Sequence, residues 1–496
     1  MMHFAMLAGA LPSVLLRVLF CALLCAPAHA ASHCDLEWSP FAGEGPGGTK
    51  LSGEISRILV PENRSRPSGS KIEIEFVRFP CTGENPGPPI YYLIGGPGVT
   101  ATRHAAAEAL TPSLGLLEYG DFIAINQRGT GNSVFNEDGA PSFPFELPLD
   151  KPATRASRLA AQKKSMAECA AYWVDRGVDL SAYNSVESAD DIEAVRQALG
   201  HGKIVLWGTS YGSHLSLSYL RRHQKHVARA VLMKVEGPDQ TFKLPSATDE
   251  QLDLLQELID KDTVLAPKMP NLKGSLGRLM VELGNEPLVV TLEPPGRDPI
   301  QVSLGPHDLE TMVAMHLGFT GTLGRLPAIV HSLEQGDWRM LAMASINLRR
   351  GGIESPMAMM MDASSGASKA RLVQIREERR SRKYVLGDAM NFNQYPEAST
   401  ACGSPDVGKV FRGPLPCHVP VLFVSGDLDA RTPPANVEGI IGAFENAAHV
   451  IVQGTGHDSR ELTSPKYCGL VKSFLGGESV ESQVVQLAPI EFTPIR

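Results

Sequence analysis

A hydrophobic strand, a serine set between glycines and a helix follow one another without a break in IVLWGTSYGSHLSLSYLRR, residues 204 to 222. No other feature constrains the fold as tightly. A G-x-S-x-G sequence between a strand and a helix is a nucleophile elbow. Gly208 and Gly212 lack side chains where the two backbones must meet, so Ser210 can be held in a strained conformation with its hydroxyl exposed. The same five letters arise when a serine simply caps a helix. Ser210 is therefore a candidate nucleophile whose standing depends on partners elsewhere in the chain.

Two such partners follow in the order nucleophile, acid, histidine. The segment VPVLFVSGDLDARTPP, residues 419 to 434, is a second apolar strand ending in an acidic loop. In HVIVQGTGHDSREL a third strand, His449 to Val452, runs through Gly454 and Gly456 to His457. Open parallel sheets place their reactive groups on loops beyond the carboxyl ends of the strands, and Ser210, Asp429 and His457 each stand just past such an end. Asp429, three residues after Gly426 and just before the Thr432-Pro433-Pro434 turn, suits the role of orienting acid. Asp427 is the alternative, because either carboxylate would also serve to shape the turn. His418 lies at the wrong end of the acid-bearing strand.

Upstream, PPIYYLIGGPGVTATRH, residues 88 to 104, is a strand followed by Gly95-Gly96-Pro97-Gly98. A loop of this kind brings backbone N–H groups close to a developing oxyanion, and the expected pair of donors is Gly96 and Tyr211, the residue after the nucleophile. Acyl transfer by this set needs no metal and no organic cofactor.

The five blocks IGGPG, DFIAINQRGTGNS, GTSYG, GDLDARTPP and GTGH, spread over residues 94 to 457, resemble the proline iminopeptidase and tripeptidyl-aminopeptidase-like branch of the α/β-hydrolases. The resemblance implies an α/β-hydrolase fold, with a mostly parallel central sheet and a helical cap inserted after strand six. It also implies a serine exopeptidase acting on free peptide N-termini. Glu236, at the root of the cap, then becomes the expected partner of a substrate α-ammonium. Two positions depart from the pattern: Ile94 stands where many members have histidine, and Asn126 where the block D-Q-R-G begins with aspartate, a change expected to alter a charge network around Arg128. A carboxylesterase or lipase would use the same triad, since fold alone does not separate ester from amide cleavage.

With 496 residues, 43% of them hydrophobic and 20% charged, the chain can bury a full core and an insertion. The net charge of −8, with only short basic runs such as Arg376 to Lys383, gives no footprint for nucleic acid; the expected partner is a peptide or small ester. Residues 11 to 25 are apolar apart from Arg17 and precede Ala28-His29-Ala30, the pattern of a cleaved leader too short for stable membrane insertion. The expected organisation is a signal peptide over 1–30, a catalytic core over 31–236 and 415–496, and a helical cap over 237–414, in a periplasmic or extracellular protein. Cys34, Cys81, Cys169, Cys402, Cys417 and Cys468 would remain after cleavage, and an even number in an exported chain suggests disulfides, Cys402 and Cys417 being nearest in sequence. SADDIEAVRQALG reads as a helix that Ser188 or Asp190 can cap. The Met-rich run at 356 to 363 is either filler between helices or an adaptable substrate wall.

Overall fold

The computed structural model describes residues 36–111, 113–132, 141–353 and 356–495. The leader assigned to 1–30 and Cys34 lie outside them. Ten of the described strands form one sheet: β1 (Ser39–Glu44), β2 (Lys50–Pro61), β3 (Lys71–Phe79), β4 (Ile90–Leu93), β5 (Phe122–Ile125), β6 (Ile204–Thr209), β7 (Val227–Met233), β8 (Val421–Gly426), β9 (Ala447–Gln453) and β10 (Gln483–Gln486). Their order across the sheet is β1-β2-β3-β5-β4-β6-β7-β8-β9-β10. Pairing is antiparallel from β1 through β3 to β5 and parallel from there to β10. Because the edge strand β1 precedes the strands legible in the sequence, the large insertion follows the seventh strand of the sheet in chain order.

Alternate residues of the central strands enter different cores. Tyr91, Leu93, Ile204 and Leu206 pack on one face, Ile90, Tyr92, Val205 and Trp207 on the other. A parallel sheet covered on both faces has no solvated side, which is why these strands read as continuous apolar runs. The covering helices include α1 (Ala101–Ala109), α2 (Arg155–Val174), α3 (Ser185–Ala198) and α4 (Tyr211–His223). Helix α3 starts earlier than expected: Asn184 is its N-cap, accepting from the N–H groups of Val186 and Glu187 at 3.0 Å each. Ser188 is instead buried one turn in, and Asp190 pairs with Arg222 at 2.7 Å.

Between β7 and β8 the chain forms a second layer with α5 (Pro245–Lys261), α6 (Leu272–Asn285), α7 (Pro306–His316), α8 (Leu326–Glu334), α9 (Arg339–Arg349), α10 (Pro356–Ser365) and α11 (Lys369–Ser381). Its apolar interior is distinct from the two that cover the sheet: Leu252, Leu255 and Ile259 of α5 form a stripe at helical spacing within one cluster that includes Leu276, Leu309 and Leu326. Leu428, Ala430, Ile490 and Ile495 from the other layer pack into the same cluster. An antiparallel hairpin, Leu288–Leu292 with Ile300–Leu304, lies within this otherwise helical stretch. No helix among the described residues is long and apolar enough to cross a membrane.

The disulfide expectation is corrected for the five described cysteines, all of which are free. Cys402 ends a 3-10 turn with its Sγ directed at Ser399 O, 3.4 Å away, whereas Cys417 lies in a bridge beside Phe444 with its Sγ near Val419 O. Each thiol is thus held by its own segment. Burial raises the pKa of Cys402 and Cys417 and pushes Cys169 up to about 12, so these groups are unreactive.

Candidate active site

Ser210 has φ 54° and ψ −128°, a conformation that costs a non-glycine residue on the order of 1–3 kcal/mol. The surroundings impose it. Ser210 N donates to Met233 O at 3.0 Å, and both the N–H and the hydroxyl of Ser213 donate to Ser210 O at 2.8 and 2.6 Å. A Cβ on Gly212 would stand 1.8 Å from Leu93 O, and one on Gly208 would stand 2.7 Å from Gly212 O. Only glycine lets α4 leave β6 at this angle.

Asp429 and His457 close on the serine from the ends of β8 and β9. His457 Nε2 is 3.0 Å from Ser210 Oγ, and His457 Nδ1 is 2.7 Å from Asp429 Oδ2. Asp429 is fully buried and also accepts from Thr432 Oγ1 at 2.7 Å and from the N–H groups of Arg431 and Thr432 at 2.9 and 3.0 Å. Burial works to raise its pKa, but the charge and hydrogen bond of His457 and the bonds from Thr432 outweigh it and hold the carboxyl at about 2. Asp427 has another job, accepting from Gly454 N at 2.7 Å, and burial raises its pKa. His418 is on the surface, paired with Glu445 at 2.7 Å.

The glycine loop lies against Ser210, since a Cβ on Gly95 would be 2.7 Å from Ser210 Cβ. Gln127 Nε2 donates to Ile94 O at 3.0 Å and pins the start of the loop. Gly96, at φ 119°, lines the cavity that holds Ser210 and His457, and Tyr211 is the first residue of α4, so its N–H belongs to the unpaired first turn. The expectation for Asn126 is corrected: it does not enter the Arg128 network. Arg128 is fully buried on Asp191 at 2.8 Å and on the carbonyls of Glu62 and Ala182. Asn126 instead donates to Glu75 Oε1 at 2.9 Å and accepts from Thr102 N at 3.1 Å. An aspartate there would set two buried carboxylates against each other, which explains the amide.

The cavity around Ser210 is small, about 110 Å³, and Glu236, Lys243, Asp362 and Arg431 also line it. Glu236 reaches it but is already engaged, with Lys243 Nζ 2.5 Å from its Oε2. Asp362, on α10, was not legible as a site residue. Its environment is unusual: burial, together with the nearby charge of Glu236, raises its pKa to about 8 against the opposing pull of Lys243. Of the methionines around it, Met357, Met360 and Met361 are fully buried, while Met359 lines an adjoining chamber. Elsewhere, Glu193, His223 and His226 bring donor atoms close together, but Arg196 occupies both Glu193 oxygens at 2.7 and 2.8 Å.

Residues 88–276 match the family described as alpha/beta hydrolase fold, and residues 396–483 match the family described as TAP-like protein. The Serine protease Hip1 of Mycobacterium tuberculosis is 26% identical over 215 residues, 41% of this chain and 40% of that protein. The Tripeptidyl aminopeptidase of Streptomyces coelicolor is 29% identical over 188 residues, 36% of this chain and 35% of that protein. The match thus spans about two fifths of the length of these relatives. With its sheet, elbow and both family matches, the chain has the α/β-hydrolase fold, and its C-terminal part is similar to the TAP-like family.

Proposed function

We propose that this chain is an exported serine hydrolase that releases residues from the free N-terminus of peptides. The observation that carries the reading is the continuous relay Ser210–His457–Asp429, with contacts of 3.0 and 2.7 Å. In the reaction His457 Nε2 takes the proton of Ser210 Oγ as the oxygen attacks the scissile carbonyl. Asp429 fixes the imidazole tautomer and stabilises the imidazolium, and the N–H groups of Gly96 and Tyr211 hold the oxyanion. His457 then gives its proton to the leaving amine. Water, deprotonated by the same histidine, frees the acyl enzyme. No metal or organic cofactor takes part in these steps.

Glu236 and Asp362 supply the carboxylates that would receive the substrate α-ammonium, in a small cavity where partial exclusion of water makes such a pair worth more than on the surface. A carboxylesterase is the second reading, and one observation favours it: Lys243 already neutralises Glu236, and Asp362 is protonated below about pH 8, which suits a neutral substrate. Comparing a free peptide anilide with its N-acetylated form, beside a small p-nitrophenyl ester, separates the two. The aminopeptidase reading expects acetylation to lower kcat/KM strongly and Glu236→Gln or Asp362→Asn to reproduce much of the loss on the free peptide alone. Equal rates on both anilides would leave the esterase. Export rests on the leader sequence and is tested by N-terminal sequencing, expected to begin near Ala31.

A further inference from the structure

A second chamber of about 570 Å³ adjoins the catalytic cavity, and Gly96, Pro97, Asp362, Phe392, Asn393 and Gln394 border both. The catalytic cavity has space for little more than one small side chain, so most of a bound peptide has to occupy the larger chamber. Much of its wall is apolar, with Phe145, Met166, Ile353 and Met359 among the lining residues. Among its described lining residues one is a cation, Arg158 of α2.

Arg158 breaks a rule that its neighbours keep. Four arginines are buried in the described structure, at 9% exposure or less: Arg128, Arg158, Arg196 and Arg349. Arg128 pairs with Asp191 at 2.8 Å, Arg196 with Glu193 at 2.7 Å and Arg349 with Asp308 at 2.8 Å. Arg158 has no carboxylate within ion-pair distance among the described residues. Its Nε donates to Phe392 O at 2.8 Å and its Nη1 to Leu348 O at 3.2 Å, while the rings of Phe145 and Phe392 flank the guanidinium at 5.3 and 5.4 Å. Those contacts fix the plane of the group and leave Nη2 with no hydrogen-bond partner among the described residues. Burial lowers its pKa, but an arginine stays charged at any working pH. A buried charge is ordinarily paired, and Arg158 is among the residues that line the larger chamber.

We infer that Arg158 is the receptor for a carboxylate of the bound peptide, making the larger chamber selective for acidic or short substrates. This rests on the peptide-cleaving reading of the site. The carboxylate has two sources, the C-terminal α-carboxylate of a short peptide or an Asp or Glu side chain, and both would meet the guanidinium fork in the same way.

The test uses binding rather than turnover. In the Ser210→Ala protein, calorimetry compares a short peptide with its C-terminal amide, and compares amidated peptides carrying Glu or Gln at successive positions. The carboxylate-bearing member of one pair is expected to bind about tenfold or more tightly. A difference in the first pair assigns the α-carboxylate, and a difference in a Glu/Gln pair assigns a side chain. Adding Arg158→Gln should abolish the preference, and adding Arg158→Lys should keep part of it. Equal affinity within every pair, absence of peptide binding, or a preference unchanged in Arg158→Gln overturns the inference. The pairs measured with Arg158 intact do not depend on the variant folding. Failure of the hydrolase reading itself is seen separately, as absence of turnover of any ester or peptide by the wild type.

Discussion

The two aspartates beyond β8 give the sharpest test of the relay, because Asn at either site preserves size and removes charge. At Asp429 the four accepted hydrogen bonds leave no freedom. In Asp429→Asn the new amide oxygen would remain with the N–H groups of Arg431 and Thr432, which turns the NH₂ toward His457. His457 Nδ1 must then be the acceptor, so its proton moves to Nε2, where it faces Ser210 and blocks general-base catalysis. The corresponding change in a characterised serine-protease triad costs about 10⁴ in kcat, roughly 5.5 kcal/mol of barrier. At Asp427 the carboxyl accepts from backbone N–H groups, Gly454 N at 2.7 Å foremost, and an amide oxygen accepts such bonds equally well. Burial already disfavours the charged form of Asp427, so losing the charge costs on the order of 0.5 kcal/mol, about a factor of two in rate. Initial rates on a p-nitrophenyl ester, with thermal unfolding to confirm the fold, measure both. Asp427→Asn proving the more damaging, or Asp429→Asn falling by less than about a hundredfold, would refute the assignment of the acid.

Ser210→Ala should remove on the order of 10⁶ in kcat while the protein stays folded, and a serine-directed phosphonate should add its mass to the wild type only; a variant keeping a tenth of the activity would exclude Ser210 as nucleophile. Gly212→Ala places a Cβ 1.8 Å from Leu93 O, so α4 must shift by more than 1 Å; stability should fall by about 1–3 kcal/mol or more and turnover by about 10², and near-normal kinetics would show that the elbow is looser than described. Asp362→Asn should alter stability in one direction with pH. The folded pKa, about 8, lies above the unfolded value of about 3.9, so the wild type loses stability as pH rises between them while the variant does not. The melting-temperature advantage of the variant should therefore grow from pH 5 to pH 8, and a constant difference would remove the shifted carboxyl from the account.

What was legible in the sequence is what local grammar determines. Ser210, Asp429 and His457 each follow an apolar strand and a glycine-bearing turn, and a parallel sheet brings all such turns to one edge. Gly208 and Gly212 announce the close approach of strand and helix because no other residue allows it. Arg158, Lys243 and Asp362 were not legible, because α2, the start of the insertion and α10 come together only through tertiary packing. The sole hint of Asp362 was an acid among four methionines, a run that reads as filler. Asn184 escaped as the cap of α3 because Ser188 and Asp190, a turn later, have equal cap chemistry. The hairpin from Leu288 to Leu304 was hidden by the helical periodicity on either side. The cysteines followed a rule of compartment that says nothing about distance: the described thiols are free, although Cys402 lies near enough to Cys169 to help raise its pKa.

The same packing bears on how the second layer relates to the chemistry. His457 N donates to Gly318 O, and Asp458 accepts from the N–H and hydroxyl of Thr320 at 2.7 and 2.5 Å. Phe319 stands edge-on to the His457 imidazole at 5.8 Å, and the Arg431 guanidinium lies over the Phe319 ring at 4.8 Å. A Cβ on Gly456 would stand 2.2 Å from Gly318 O, so this glycine is what lets the two backbones meet. The segment 318–320, inserted between β7 and β8, is therefore a brace for the histidine loop as well as part of a cover. A rigid lid hinging away from this side would pull the base from its serine. Alignment of His457 with Ser210 therefore depends on the 318–320 turn staying against the histidine loop, and Met315, just before that turn, also lines the larger chamber, so the insertion contacts both the relay and the adjoining space.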